Sequence, residues 1–284
     1  LISIKKHPWH AFCYCCTAQI IFAFESSYRR EIMKKSLIAL ALVGAFASPA
    51  FAQTAPAAEA AVSPHTVTGN VGLFSSYRFR GIDQTFGKPA LQGGIDYSHE
   101  SGIYVGNWNS NVSEYAGFPD GNLEMDLYGG FKKSFGDFGI DVGGIYYYYP
   151  GSDNGKGNAV DNGEVYVGAS WKFISFKYSH ALTNYFDVAN TKNTKYYDLA
   201  ANYDLGAGWG VNGHVGYTDV SNTSAADYTD WKLGVTKDIG GYVFGLSYID
   251  TDASKDVYTW SKATSGKQIY AGKAVGVLSV SKSF

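Results

Sequence analysis

No cysteine follows Cys16 in this chain of 284 residues, and methionine occurs only at Met33 and Met125. Without later thiols, the body of the chain has neither a disulfide framework nor a cysteine-based zinc set. Cys13, Cys15 and Cys16 are close together, but no His or Cys partner follows at a zinc-ligand spacing, so no metal is assigned to them. Long apolar runs are also missing. The run at 37–46 is shorter than the roughly 20 residues a spanning helix needs, and glycine or a charge interrupts each later one. Positive charge is scarce as well. Residues 1–52 hold six of the 23 Lys and Arg but only two of the 25 Asp and Glu, which leaves the remainder at net −6. That balance argues against nucleic acid as a partner.

Met33, Lys34-Lys35, the apolar run at 37–46 and Pro49-Ala50-Phe51-Ala52 together have the form of a signal peptide. Cleavage is predicted between Ala52 and Gln53. Residues 1–32 read as upstream sequence translated from a misplaced start, the alternative being a longer signal or a tail-like extension. The expected organisation is an extension at 1–32, a signal peptide at 33–52, a short Ala/Pro-rich periplasmic segment at 53–65, and a β-barrel at 66–284.

What the chain does hold is glycine (34 residues), tyrosine (23 residues) and a regular punctuation. Short joins at 101–102, 136–137, 173–174, 206–208 and 240–241 alternate with long ones at 81–89, 114–121, 150–162, 183–193, 220–229 and 251–272. This delimits twelve strands with both chain ends on the short-turn side, the plan of an outer-membrane β-barrel. The join at 173–174 has no Gly, Asn or Asp to favour a turn.

Between the joins the side chains alternate. Leu123, Met125, Leu127 and Phe131 oppose Glu124, Asp126 and Lys132, while Val165, Val167, Ala169 and Trp171 oppose Glu164, Ser170 and Lys172. A soluble sandwich would turn the apolar set inward and a membrane barrel would turn it out. Three features favour the barrel. Segments such as 66–80 and 138–149 are longer than the 5–6 residues usual in soluble strands and long enough to cross a bilayer at a tilt. Aromatic residues sit in two belts: Tyr97, Phe138, Trp171, Trp209 and Tyr242 by the short turns, and Tyr77, Phe79, Tyr146, Tyr148, Tyr178, Tyr217 and Trp231 by the long loops. The chain also ends in Phe284, on the same face as Gly276, Leu278, Val280 and Lys282, as in the signal that insertion machinery recognises. Lys282 stands where such signals usually carry an aromatic, and at the rim it can snorkel.

Ser76-Tyr77-Arg78-Phe79-Arg80-Gly81, Gln92-Gly93-Gly94-Ile95-Asp96-Tyr97 and Gly106-Asn107-Trp108 resemble the opening of the TorF family, a proteobacterial group of porin-type conserved hypothetical proteins. The resemblance is strongest over 75–112 and looser beyond. It implies an outer-membrane barrel and brings no substrate and no catalytic residue with it.

The candidate site is the lumen. Arg78, Arg80, Lys132, Lys172, Lys177 and Lys232 are expected to line it with Asp96, Glu124, Asp126, Asp141, Glu164, Asp198, Asp230, Asn107 and Asn109. Mixed charges in a narrow space would sort solutes. The alternatives are a salt-bridged, closed interior in a non-conducting structural or receptor barrel and, second, an outer-membrane barrel enzyme of the lipase or protease kind. Expected partners are outer-membrane lipid and lipopolysaccharide, the barrel insertion machinery and small polar solutes, with no cofactor. Catalysis is not expected, because Ser179 and His180 are adjacent and point to opposite faces, while His214 lies mid-strand on the lumen side. Asp250, Asp252, Ser254 and Asp256 recur as in a calcium loop, but Lys255 replaces its glycine and Ser261 its closing glutamate. The loop at 251–272, with Tyr258, Trp260 and Tyr270, has three readings: a constriction folded into the mouth, a ligand platform, or a rim cover.

Overall fold

The structure is a computed structural model that describes residues 63–284 apart from Lys156 and Ala263. The signal peptide, the Ala52–Gln53 cleavage site, the 1–32 extension and residues 53–62 lie outside the described residues.

In chain order the strands are β1 (His65–Phe74), the short pair β2 (Arg78–Phe79) and β3 (Ile82–Asp83), β4 (Ala90–His99), β5 (Ile103–Asn111), β6 (Leu123–Phe135), β7 (Phe138–Tyr148), β8 (Asn162–Trp171), β9 (Ile174–Ala181), β10 (Lys195–Gly206), β11 (Trp209–Asp219), β12 (Tyr228–Ile239), β13 (Tyr242–Thr251), the short pair β14 (Thr259–Lys262) and β15 (Lys267–Tyr270), and β16 (Val275–Ser283). Setting aside the two short pairs, twelve strands form a closed antiparallel meander, with β1 paired to β4 on one side and to β16 on the other. Beyond β16, the Phe284 amide donates to Gly69 O at 2.9 Å and the Gly69 amide donates back at 2.8 Å, so the last residue completes the seam. Closure leaves no edge strand, which is what lets a sheet stand in a medium without water.

The alternation seen in the sequence becomes an inside and an outside. Val67, Leu233 and Leu278 are exposed, whereas Glu124, Asp126 and Asp230 are completely buried. A soluble sandwich would do the reverse. Phe138, Trp171, Trp209 and Tyr242 stand exposed near the short turns, and Tyr146, Tyr148, Tyr217 and Trp231 near the long loops.

All five short joins are present. The join without a turn residue falls one position earlier than expected, at Lys172-Phe173, with Lys172 in the left-handed region at φ 54°. Lys172 is therefore not a lumen residue: it sits in an exposed turn, 4.0 Å from Asp137 and 5.0 Å from the centre of the Trp171 ring.

The first strand differs more. It stops at Phe74 rather than running to Arg80, and residues 75–89 turn into the barrel as a strap. Alternation fails over Tyr77-Arg78-Phe79-Arg80, where bulky groups sit on both sides and could not all face lipid. Tyr77 and Phe79 are accordingly not belt residues. They pack with Trp108, Phe118, Tyr147 and Tyr149 into an aromatic core inside the long-loop end of the barrel.

Candidate functional site

The strap crosses the lumen. It leaves β1, and its tip, the two-residue turn Arg80-Gly81 between β2 and β3, lies among β8, β10, β12 and β13. Strands β8 and β10 flank β9, which is six places round the twelve-strand barrel from β1, so the tip reaches the opposite wall. Both tip residues have positive φ (47° and 79°), as a type I′ hairpin turn requires. Glycine is needed at 81 for space as well. A Cβ there would lie 2.3 Å from Thr251 Cγ2 and 2.8 Å from Asp230 Cβ.

Polar contacts hold the strap on every side. Arg80 Nη2 donates to Glu164 Oε2 at 2.7 Å, and its Nη1 donates to the Tyr185 hydroxyl at 3.1 Å. The Arg80 guanidinium also lies 4.2 Å from the centre of the Tyr196 ring and 4.8 Å from that of Phe79. Burial alone would favour the neutral guanidine, but Glu164 outweighs it and holds the pKa of Arg80 above its usual value. The Tyr77 hydroxyl donates to Glu124 Oε1 at 3.0 Å. Arg78 was expected on a strand face; it instead donates to Ala271 O at 2.6 Å and to Lys273 O at 3.2 Å. It therefore ties the strap to the loop before β16. Trp260 Nε1 in β14 donates to Asp83 O at 3.0 Å, so among the three readings of the 251–272 loop the structure shows it packed against the strap.

Asp198 and Asp230 bracket His214 on the lumen wall below the strap. His214 Nδ1 is 3.1 Å from Asp198 Oδ1, without the angle of a hydrogen bond, and its Nε2 is 3.6 Å from Asp230 Oδ1. The Tyr196 hydroxyl donates to Asp230 Oδ2 at 3.1 Å. Lys232 pairs directly across from His214.

Nearer the short turns the lining is phenols and mixed charge. The Tyr128 hydroxyl donates to Asp96 Oδ1 at 2.6 Å, and Tyr104 donates to Asp141 Oδ1 at 2.7 Å while also touching the Tyr166 hydroxyl. Lys177 Nζ stands 4.0 Å from the centre of the Tyr166 ring. Cross-strand pairs set Lys132 against Asp141 and Lys177 against Asp198, so the signs alternate round the wall. Such a girdle presents both signs of charge and phenol hydroxyls to the lumen.

Asn107 and Asn109 are not part of the lining. Ile103 and Val105 fix the outward phase of β5, and a period of two carries Asn107 and Asn109 out with them. The inward set is Tyr104, Gly106, Trp108 and Ser110. Residue type pointed to the lumen, and strand parity overrides it. Of the lining tyrosines, Tyr128 and Tyr166 share the sequence parity of Asp126 and Glu164, and Tyr196 that of Asp198, whereas Tyr104 has the opposite parity to Asn107 and Asn109 and carried no signal in the sequence. Ser179 is buried inside, and outward-facing His180 pairs through Nδ1 with the Tyr178 hydroxyl at 3.1 Å.

A closed antiparallel barrel with apolar side chains outside and charges inside defines the chain as a barrel of the membrane-spanning class. Residues 57–284 match the model of a bacterial family described as of unknown function, Gcw_chp, and the chain belongs to that family. No curated relative matches it. Among solved structures, the NanC porin shares 9% identity over 77% of this chain and 99% of its own, with a TM-score of 0.45. OmpT of Vibrio cholerae shares 13% over 79% and 99%, with a TM-score of 0.38. Likenesses this distant leave the substrate to be argued from this chain's own residues.

Proposed function

We propose that this protein is a channel of the Gram-negative outer membrane that lets small hydrophilic solutes diffuse passively, its outer mouth narrowed by the 75–89 strap. The observation that carries the reading is the lining: alternating lysines and aspartates with phenol hydroxyls, enclosed by a wall whose outside is apolar. A barrel that needed only to be filled could use apolar side chains at less desolvation cost. Both chain ends would face the periplasm, the long loops would meet lipopolysaccharide, and Phe284 would be the group that the insertion machinery recognises. The resemblance to the TorF family fits this assignment. No cofactor and no catalytic step belong to it.

One observation favours a second reading, a non-conducting structural or receptor barrel. Glu124, Asp126 and Asp230 have no exposure at all, so the strap leaves no open path beside them. Planar-bilayer conductance separates the two readings. The refolded protein should give small steps, and a variant in which residues 76–88 are replaced by a short Gly-Ser link should give larger ones. Silence from both proteins would establish the non-conducting barrel.

A further inference from the structure

The outward face of the barrel carries one feature that solute passage does not use. Apart from polar groups near the strand ends, Lys133 on β6 and Lys237 on β12 among them, its described side chains are aliphatic, aromatic, methionine or glycine, except on β5. There Asn107 is the middle residue of the strand and Asn109 follows it on the same face. Asn107 lies between Ile95 on β4 and Leu127 on β6, both more than half exposed, and Asn109 lies between Gly93 and Met125.

These carboxamides are only partly engaged. Asn107 Nδ2 donates to Asp126 O at 3.1 Å, and Asn109 Nδ2 donates to Asn107 Oδ1 at 2.6 Å, with a longer contact of 3.4 Å to Gly93 O. Asn109 Oδ1 accepts nothing among the described residues, and each amide group carries two donors. The pair thus leaves one acceptor, Asn109 Oδ1, and one N–H of Asn107 unmet on the outward-facing side of β5. Acyl chains can satisfy neither, and lipid headgroups lie only at the rims. In membranes, polar side chains beside small residues form protein–protein contacts, and Gly93 gives a second wall room to approach Asn109.

We propose that the wall formed by β4, β5 and β6 docks a second copy of this chain about a two-fold axis. A two-fold axis along the membrane normal brings Asn107 and Asn109 of one copy level with the same residues of the other, and each carboxamide offers both donor and acceptor, so the patch can complement itself. The inference rests on the outward face being lipid-facing and does not depend on conduction.

The test is the protein mass in dodecyl maltoside micelles by multi-angle light scattering, for the wild type and for Asn107→Leu/Asn109→Leu. The wild type should give twice the chain mass. The double variant should give one chain mass, its association weakened at least tenfold. Leucine suits a lipid-facing strand, so the variant should still fold, as its heat-modifiable electrophoretic mobility will report, and Val215→Leu on another wall should stay dimeric. A wild type of single-chain mass at every concentration, or a folded double variant that remains dimeric, would overturn the proposal. Conductance measured on the same samples tests the channel separately.

Discussion

Arg80 Nη2 stands 2.7 Å from Glu164 Oε2, and both side chains are 2% exposed, so the strap is latched to the far wall by a buried ion pair. Asn162 Nδ2 donates to the second carboxylate oxygen of Glu164 at 3.1 Å, and the Tyr196 ring covers the guanidinium. Removing one partner of such a pair leaves a buried charge unmet, at a cost of about 3–5 kcal/mol. Arg80→Met and Glu164→Gln should each raise hydrogen exchange at the strap amides of Asp83 and Thr85. The double substitution should raise it less than either single one, because no lone charge remains. If the double variant exchanges fastest, the pair is not the latch.

The strap tip allows a second approach to the same device. Gly81→Ala asks an L residue to hold φ 79°, at a cost of about 1–2 kcal/mol, and sets a methyl 2.3 Å from Thr251 Cγ2. The tip cannot seat without shifting. Single-channel conductance should therefore rise in Gly81→Ala relative to the wild type, while Gly87→Ala, whose added Cβ would meet only Asp83 Oδ2 at 4.0 Å, should change it less. Equal conductance in all three proteins would mean that the strap does not set the narrowest point.

Asp96 and Asp141 are acidic members of the lining on the short-turn side, and each accepts a phenol hydrogen bond that an asparagine oxygen could also accept. Asp96→Asn/Asp141→Asn should therefore fold normally while leaving Lys132 and Lys177 less opposed. Relative to the wild type, selectivity should move toward anions, read as a shift in reversal potential across a KCl gradient. An unchanged potential would place the selecting charges elsewhere, with Asp198 and Asp230 the next to test.

At the seam, the Phe284 ring lies over Gly69, where a Cβ would come within 2.5 Å of Phe284 Cε2. Gly69→Ala should push the ring off and destabilise the barrel by about 1–3 kcal/mol, as overpacking does. Urea unfolding in micelles should show that loss. Adding Phe284→Ala should recover part of it, so the two changes should cost less together than their sum. Strict additivity would mean that the ring does not pack there in the membrane.

Twelve strands, their order and nearly all their boundaries were legible in the sequence because a barrel wall obeys two simple rules. Side chains alternate, and tight turns need particular residues. The lumen positions of Asp96, Glu124, Asp126, Lys132, Asp141, Glu164, Lys177, Asp198, Asp230 and Lys232 followed from parity alone. Arg78 and Arg80 escaped because a strap inside a barrel obeys neither rule: its partners, such as Glu164 and Ala271, are 84 and 193 residues away in sequence. Asn107 and Asn109 escaped because polarity was read as inwardness, although Ile103 and Val105 had already fixed the phase of β5.

The turn at Lys172-Phe173 was the weakest joint in the sequence pattern, and the structure shows why it still forms. Trp171 pairs with Ile174 in register, and the Lys172 amide donates to Asp137 O in the neighbouring turn at 2.9 Å. The wall supplies what the residue type does not. Lys172 bears the cost, because it sits at φ 54°, where a lysine lacks the local hydrogen bonding that makes this region accessible to asparagine. Its ion pair with Asp137, at 4.0 Å between two exposed groups, contributes little in return. Lys172→Asn should therefore stabilise the barrel, by about 0.5–1 kcal/mol if half of the left-handed penalty is relieved. The gain should appear as a higher urea midpoint with an unchanged denaturant slope. A lower midpoint would mean that the contact of Lys172 with Trp171 at the bilayer rim outweighs the backbone strain.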